Sequence, residues 1–136
     1  MGRFLSIDYG KKRTGIAVTD PLKLIANALT TVPTAELFTF LSNYFQREEV
    51  ERVIIGLPTQ TDGTPSENQQ RVREFTARLT KAFPNIPVVF YDERFTSVLA
   101  QRAIIESGIG KMKRRDKSLV DEISACIILQ DYMNTL

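Results

Sequence analysis

The sequence predicts an α/β domain on a mixed five-stranded sheet, with an antiparallel hairpin first, parallel strands after it, and helices on its flanks. Three observations predict it. Two short apolar runs, residues 3–8 and 14–20, are separated by a basic turn containing Gly10, as in a hairpin. Further apolar runs of strand length then alternate with stretches of helical periodicity. A length of 136 residues, with 43% hydrophobic and 25% charged residues, suits one globular domain with its own core, expected to span residues 1–136.

Taken in order, residues 3–8 and 14–20 read as strands and residues 24–32 as a third, with Asp20-Pro21 starting the turn between the last two. Thr34 reads as a helix N-cap, followed by Leu37, Leu41, Tyr44 and Phe45 at helical spacing. Val50 to Gly56, with Val53-Ile54-Ile55 at its centre, reads as a buried strand. Thr64-Pro65-Ser66-Glu67 has the form of a capping box with proline at the first helical position, and Val72, Phe75 and Leu79 form the buried stripe that follows. Pro87 to Tyr91 is a short strand. Thr96 caps a further helix that Gly108 ends, and Ser118 starts a last helix rich in Ile, Leu and Ala. The order is βββαβαβαα.

Composition removes several chemistries. There is no histidine, so Ser-His-Asp, Cys-His and His-metal catalysis are all excluded. Any active site must use carboxylates, hydroxyls and cations. The one cysteine, Cys126, cannot form an internal disulfide and lies in an apolar helical run, which reads as core packing in a reducing compartment. No run approaches a membrane span, and no signal-peptide pattern is present, so a cytoplasmic protein with no membrane partner is expected. Met1-Gly2-Arg3-Phe4-Leu5-Ser6 fits the loose myristoylation pattern, but an N-terminal core strand accounts for the same residues. The net charge of +2 leaves binding of nucleic acid through a local patch open.

Ligands of open α/β sheets gather at the carboxyl ends of the parallel strands. Asp8 ends the first strand, and Asp92-Glu93 ends the strand around residue 90, where alternation turns only one of the two toward Asp8. Asp121 lies in the first turn of the last helix, on a face that continues through Ser124, Ala125, Ile128 and Tyr132. A carboxylate on so apolar a face is costly unless paired or bound to a cation. Oxygen-only donors without histidine suit Mg²⁺ or Mn²⁺. A structural role is also open to each acid. Asp121 can complete a capping box with Ser118, Asp92 and Glu93 can be solvated beside Arg94, and Asp8 can bond backbone amides of the hairpin. Gly56 to Thr64 reads mainly as a strand-to-helix connection. Tyr9 can stack on a base or pack within the sheet.

Four ordered motifs then carry a resemblance over nearly the whole chain: Asp8 to Asp20, Gly56-Leu57-Pro58 through Asp62-Gly63, Asp92-Glu93-Arg94-Phe95-Thr96-Ser97, and Val120-Asp121 through Ile128-Leu129-Gln130. Together they resemble the YqgF family, similar to RuvC-type resolvases with a ribonuclease H-like fold. The resemblance implies a metal-dependent nuclease, assigned in this family to precursor 16S rRNA and formerly to Holliday junctions. It implies Asp8, Glu93 and Asp121 as the catalytic and metal-binding triad, holding Mg²⁺ or Mn²⁺, with two ions when substrate is bound. Asp8 would bridge the ions, and Glu93 and Asp121 would each complete one coordination shell. Resolvase relatives carry another acid one turn further along the last helix, where this chain has Ser124 and Ala125, and Glu122 lies about 100° around the helix from that face. The expected partner is nucleic acid, with precursor rRNA in a pre-ribosomal particle preferred over branched DNA. The expected state is a monomer or weak homodimer.

Two other classes stay open at the level of sequence. The hairpin also resembles the phosphate-binding hairpin of actin-like and sugar-kinase ATPases, which need two lobes where this chain has residues for one. A non-catalytic ribosome-assembly factor could retain the same acids. Nucleic-acid contacts are expected from Lys12, Arg13 and Arg94 and from the run Lys111-Met112-Lys113-Arg114-Arg115-Asp116-Lys117, whose five cations precede the helix of Asp121. If Lys111, Lys113, Arg114 and Arg115 meet phosphates, neutralising the last three weakens RNA binding and flattens the slope of log affinity against log salt by about two to three. Filter binding across a salt series checks this, and an unchanged slope makes the run a solvated loop.

Overall fold

The computed structural model describes residues 2–57, 68–92 and 117–136. Strand β1 (Arg3–Tyr9) runs antiparallel to β2 (Arg13–Thr19), which runs antiparallel to β3 (Ala26–Pro33). On the other side of β1, β4 (Val50–Leu57) and β5 (Val88–Asp92) add in parallel. The order β3-β2-β1-β4-β5 is the mixed five-stranded sheet expected from the sequence. Pro33 is tolerated because β3 is an edge strand. Between β2 and β3, the Asp20 carboxylate accepts from the backbone N–H groups of Leu24 (2.8 Å) and Ile25 (2.9 Å), which makes the expected turn.

Alternation along the strands sends side chains to two separate cores. On one face Leu5, Ile7, Ile16, Val53 and Ile55 pack under helices α1 (Leu37–Arg47) and α2 (Gln69–Ala82). The apolar stripes of those helices are the ones the spacing predicts: Leu37, Leu41 and Tyr44 in α1, and Val72, Phe75 and Leu79 in α2, all buried. On the other face Phe4, Ala17, Ala26 and Ile54 meet Ala125, Ile128 and Leu129 of the last helix, α3 (Lys117–Asn134). The predicted capping box at residues 64–67 and the predicted helix from Thr96 to Gly108 lie outside the described residues.

The reading of Thr34 needs correction. A 3₁₀ turn over Thr34–Glu36 separates it from α1, and neither helical start has a side-chain cap. Its hydroxyl instead donates to Gly10 O (2.6 Å) and accepts from Thr14 Oγ1 (2.9 Å), while its N–H donates to Lys12 O (2.9 Å). Both hydroxyl bonds are directed at the hairpin across the sheet edge, and no helix N–H reaches the oxygen. Thr34 therefore clamps the turn between β1 and β2.

Helix α3 lies unusually close to the sheet because the residues beneath it are small. Ser6 Oγ donates to Ala125 O at 2.6 Å, and Ala17 is fully buried. A Cβ added to Gly15 would stand 2.0 Å from Asp121 O. That atom is backbone, so no side-chain rotation relieves the clash. Gly15→Ala is expected to destabilise the protein by about 1–3 kcal/mol, as overpacking of a fitted core does. Thr34→Val, which keeps the volume and deletes the clamp, should cost about 1 kcal/mol. Urea unfolding of each variant checks both, and Gly15→Ala unfolding at the wild-type midpoint would refute the close approach.

Candidate active site

The site begins with the register of β1 and β2. Phe4 and Ser6 face α3, so alternation puts Asp8 on that face too, at the carboxyl end of the strand. Asp8 pairs across the ladder with Gly15, and Gly15 lies against the backbone of Asp121. Two acids separated by most of the chain are thus carried on either side of one glycine. Both are only partly buried. Ser124 and Ala125 are buried, and Ala125 O already receives the Ser6 hydroxyl, so no further acid enters from the next turn of α3.

On β2, Arg13 shares the face of Gly15 and Ala17. Its Nε donates to Asp121 Oδ2 at 3.1 Å, with the two side chains 39% and 25% exposed. This ion pair answers the cost of placing a carboxylate on a largely apolar helix face. Lys11 and Lys12, in the turn before it, are exposed to solvent. The structure therefore brings together Asp8, Asp121 and Arg13, with Lys12 exposed in the adjoining turn. Glu93, Arg94, Lys111, Lys113, Arg114 and Arg115 lie outside the described residues, as does the loop from Pro58 to Thr64.

The end of β1 is held from the opposite face. Tyr9 stands next to Asp8 in sequence but points toward the larger core, its ring 5.4 Å from that of Phe75. Of the two roles open to it, packing is the one observed. Asn68, just before α2, donates from Nδ2 to Tyr9 O at 2.9 Å. Sequence reasoning missed this anchor and the contribution of Gly15, although the row of small residues Ser6, Gly15 and Ala17 on one face was a usable signal. Cys126 is a packing residue: its thiol donates to Ala26 O at 3.4 Å, and burial pushes its pKa up, keeping it protonated.

Among the described residues no group of three or more His, Cys, Asp or Glu side chains is assembled. Asp8 and Asp121 supply hard oxygen donors only, a set that fits Mg²⁺ or Mn²⁺ and needs further ligands to complete it. Among the described residues no helix is long and apolar enough to cross a membrane.

A family model, RuvX, described as Holliday junction resolvase, matches residues 2–135. A protein of Porphyromonas gingivalis named "Putative pre-16S rRNA nuclease" is 60% identical over 134 residues, covering 98% of this chain and 97% of that one. One of Bacteroides fragilis with the same name is 56% identical over 135 residues, covering 99% and 98%. Among solved structures, fowlpox virus resolvase in complex with Holliday junction DNA aligns with a TM-score of 0.62 over 98% of this chain and 97% of that one, at 12% identity, a likeness of fold alone. The chain belongs to the RuvX family and is a nuclease on a ribonuclease H-like fold.

Proposed function

We propose that this protein hydrolyses phosphodiester bonds with divalent cations held by Asp8, Glu93 and Asp121, and that its substrate is the 5′ end of precursor 16S rRNA. The observation that carries the reading is the meeting of Asp8 and Asp121 on one sheet face, beside a hairpin of three consecutive cations. Tyr91 packs with the residues of that face, and Glu93 follows it by two positions in sequence. Mg²⁺ or Mn²⁺, two ions once substrate is present, would supply Lewis-acid activation of water and stabilisation of the leaving oxygen. The carboxylates of Asp8, Glu93 and Asp121 hold the charge in place. Lys12 and Arg94, with Arg13 when it is released, neutralise the phosphates on either side of the scissile bond. The run containing Lys111, Lys113, Arg114 and Arg115 extends that contact along the strand.

RNA is supported by the name carried by relatives 50–60% identical over nearly their whole length. The nuclease then works in the cytoplasm on a pre-ribosomal particle, as a monomer or weak homodimer, and the protonated thiol of Cys126 suits a reducing compartment. Branched DNA is the second reading, favoured by the description of the matching family model.

Asp8→Asn is expected to abolish Mg²⁺- or Mn²⁺-dependent cleavage while leaving the fold intact. A side-by-side assay on a 16S precursor end and a four-way junction, with circular dichroism of the variant, reads substrate and mechanism together. Cleavage of the RNA by the wild type alone is the expected result. Full metal-dependent activity in the Asp8 variant would sink the site assignment, and binding without cleavage of either substrate would favour an assembly factor.

A further inference from the structure

We propose that Arg13 is a built-in stand-in for the metal at Asp121: its guanidinium holds the carboxylate while no cation is bound, and metal binding displaces it toward substrate phosphate. The inference rests on the metal-dependent reading above and concerns what the protein does before the metal arrives.

The contact runs from Nε to Oδ2 at 3.1 Å and joins residues 108 positions apart. It involves Asp121, one of the two described carboxylates of the candidate site. A guanidinium and a divalent cation both seek the same oxygens, and they repel each other at short range, so full occupancy of the carboxylate by both is disfavoured. The pair is partly open to solvent, at 39% and 25% exposure, which leaves it exchangeable.

The surroundings decide which partner moves. Asp121 is fixed through its backbone, since Gly15 leaves no space between β2 and α3. The backbone on both sides of Arg13 is held, by Thr34 N–H on Lys12 O and by the pairing of Thr14 with Tyr9 and Val32 in the ladders. What remains free to rotate is the long Arg13 side chain itself. Its release swings a positive charge out beside the exposed Lys11 and Lys12, where a phosphate backbone is expected to lie. Metal loading and substrate capture are thereby coupled through one side chain, and the unloaded carboxylate keeps a cation beside it.

The test is Mn²⁺ binding to the whole protein without substrate, followed by electron paramagnetic resonance of the free ion, for wild type, Asp8→Asn, Arg13→Gln and Arg13→Lys. Arg13→Gln is expected to bind Mn²⁺ about two- to fivefold more tightly, the factor set by removing a partly exposed competing ion pair. Arg13→Lys keeps the charge and should fall between. In wild type, the Arg13 Nε–H resonance of ¹⁵N-labelled protein should move to a solvent-exposed position on saturation with Mg²⁺, a readout that needs no variant to fold. Equal or weaker Mn²⁺ affinity in Arg13→Gln, or a resonance unmoved by bound Mg²⁺, overturns the displacement and leaves the metal site standing. Wild type without Mn²⁺ binding that Asp8→Asn removes overturns the metal reading and the displacement with it.

Discussion

The close seating of α3 on the hairpin is the constraint on which the site depends. A helix normally stands off a sheet by the depth of two interleaved side chains. Here Gly15 has none, Ser6 turns its hydroxyl into a bond to Ala125 O, and Ala17 contributes a single methyl. The helix backbone can therefore descend to the strands, and Asp121 arrives at the level of Asp8. Among the described residues this face carries the smaller core, while Leu, Ile, Val and Phe side chains fill the space under α1 and α2 on the other.

Electrostatics follow from that geometry. Carboxylates brought toward one another on a partly buried face repel and lose solvation, and a nearby cation offsets both costs. Arg13 supplies that cation to Asp121 from the neighbouring strand. Its position in the sequence, at the end of the basic turn, is what lets one residue serve the carboxylate and stand within the phosphate-facing cations. Thr34 and Asn68 hold the two sides of this arrangement, one at the turn and one at the end of β1, so the strand end carrying Asp8 is tied from outside the ladder as well as within it.

Much of this was legible before the fold. The continuous apolar runs of β1 and β4, buried on both faces, and the helical stripes of α1 and α2 report burial directly. Asp8 stood out as an acid at a strand end. Thr34 was misread for a physical reason: a hydroxyl that caps a helix and one that clamps a distant turn are the same group at the same place in the chain, and only the approach of Gly10 decides between them. Gly15 read only as part of the strand over residues 14–20, since the helix it admits lies more than 100 residues away. Tyr9 was open until Phe75 took up its ring.

The sequence by itself determined the element types, the two-faced sheet, the exclusion of histidine chemistry and the acids available for a hard cation, because composition and local periodicity are properties of neighbouring residues. Its ordered motifs also pointed to the family that the full-length match established. Only the tertiary structure decided that Asp8 and Asp121 share one glycine between them, that Arg13 reaches Asp121, and that Thr34 serves the hairpin rather than the helix. Each of those is a contact between segments far apart in the chain. Such contacts are set by how closely two surfaces can pack, which no stretch of local sequence encodes alone.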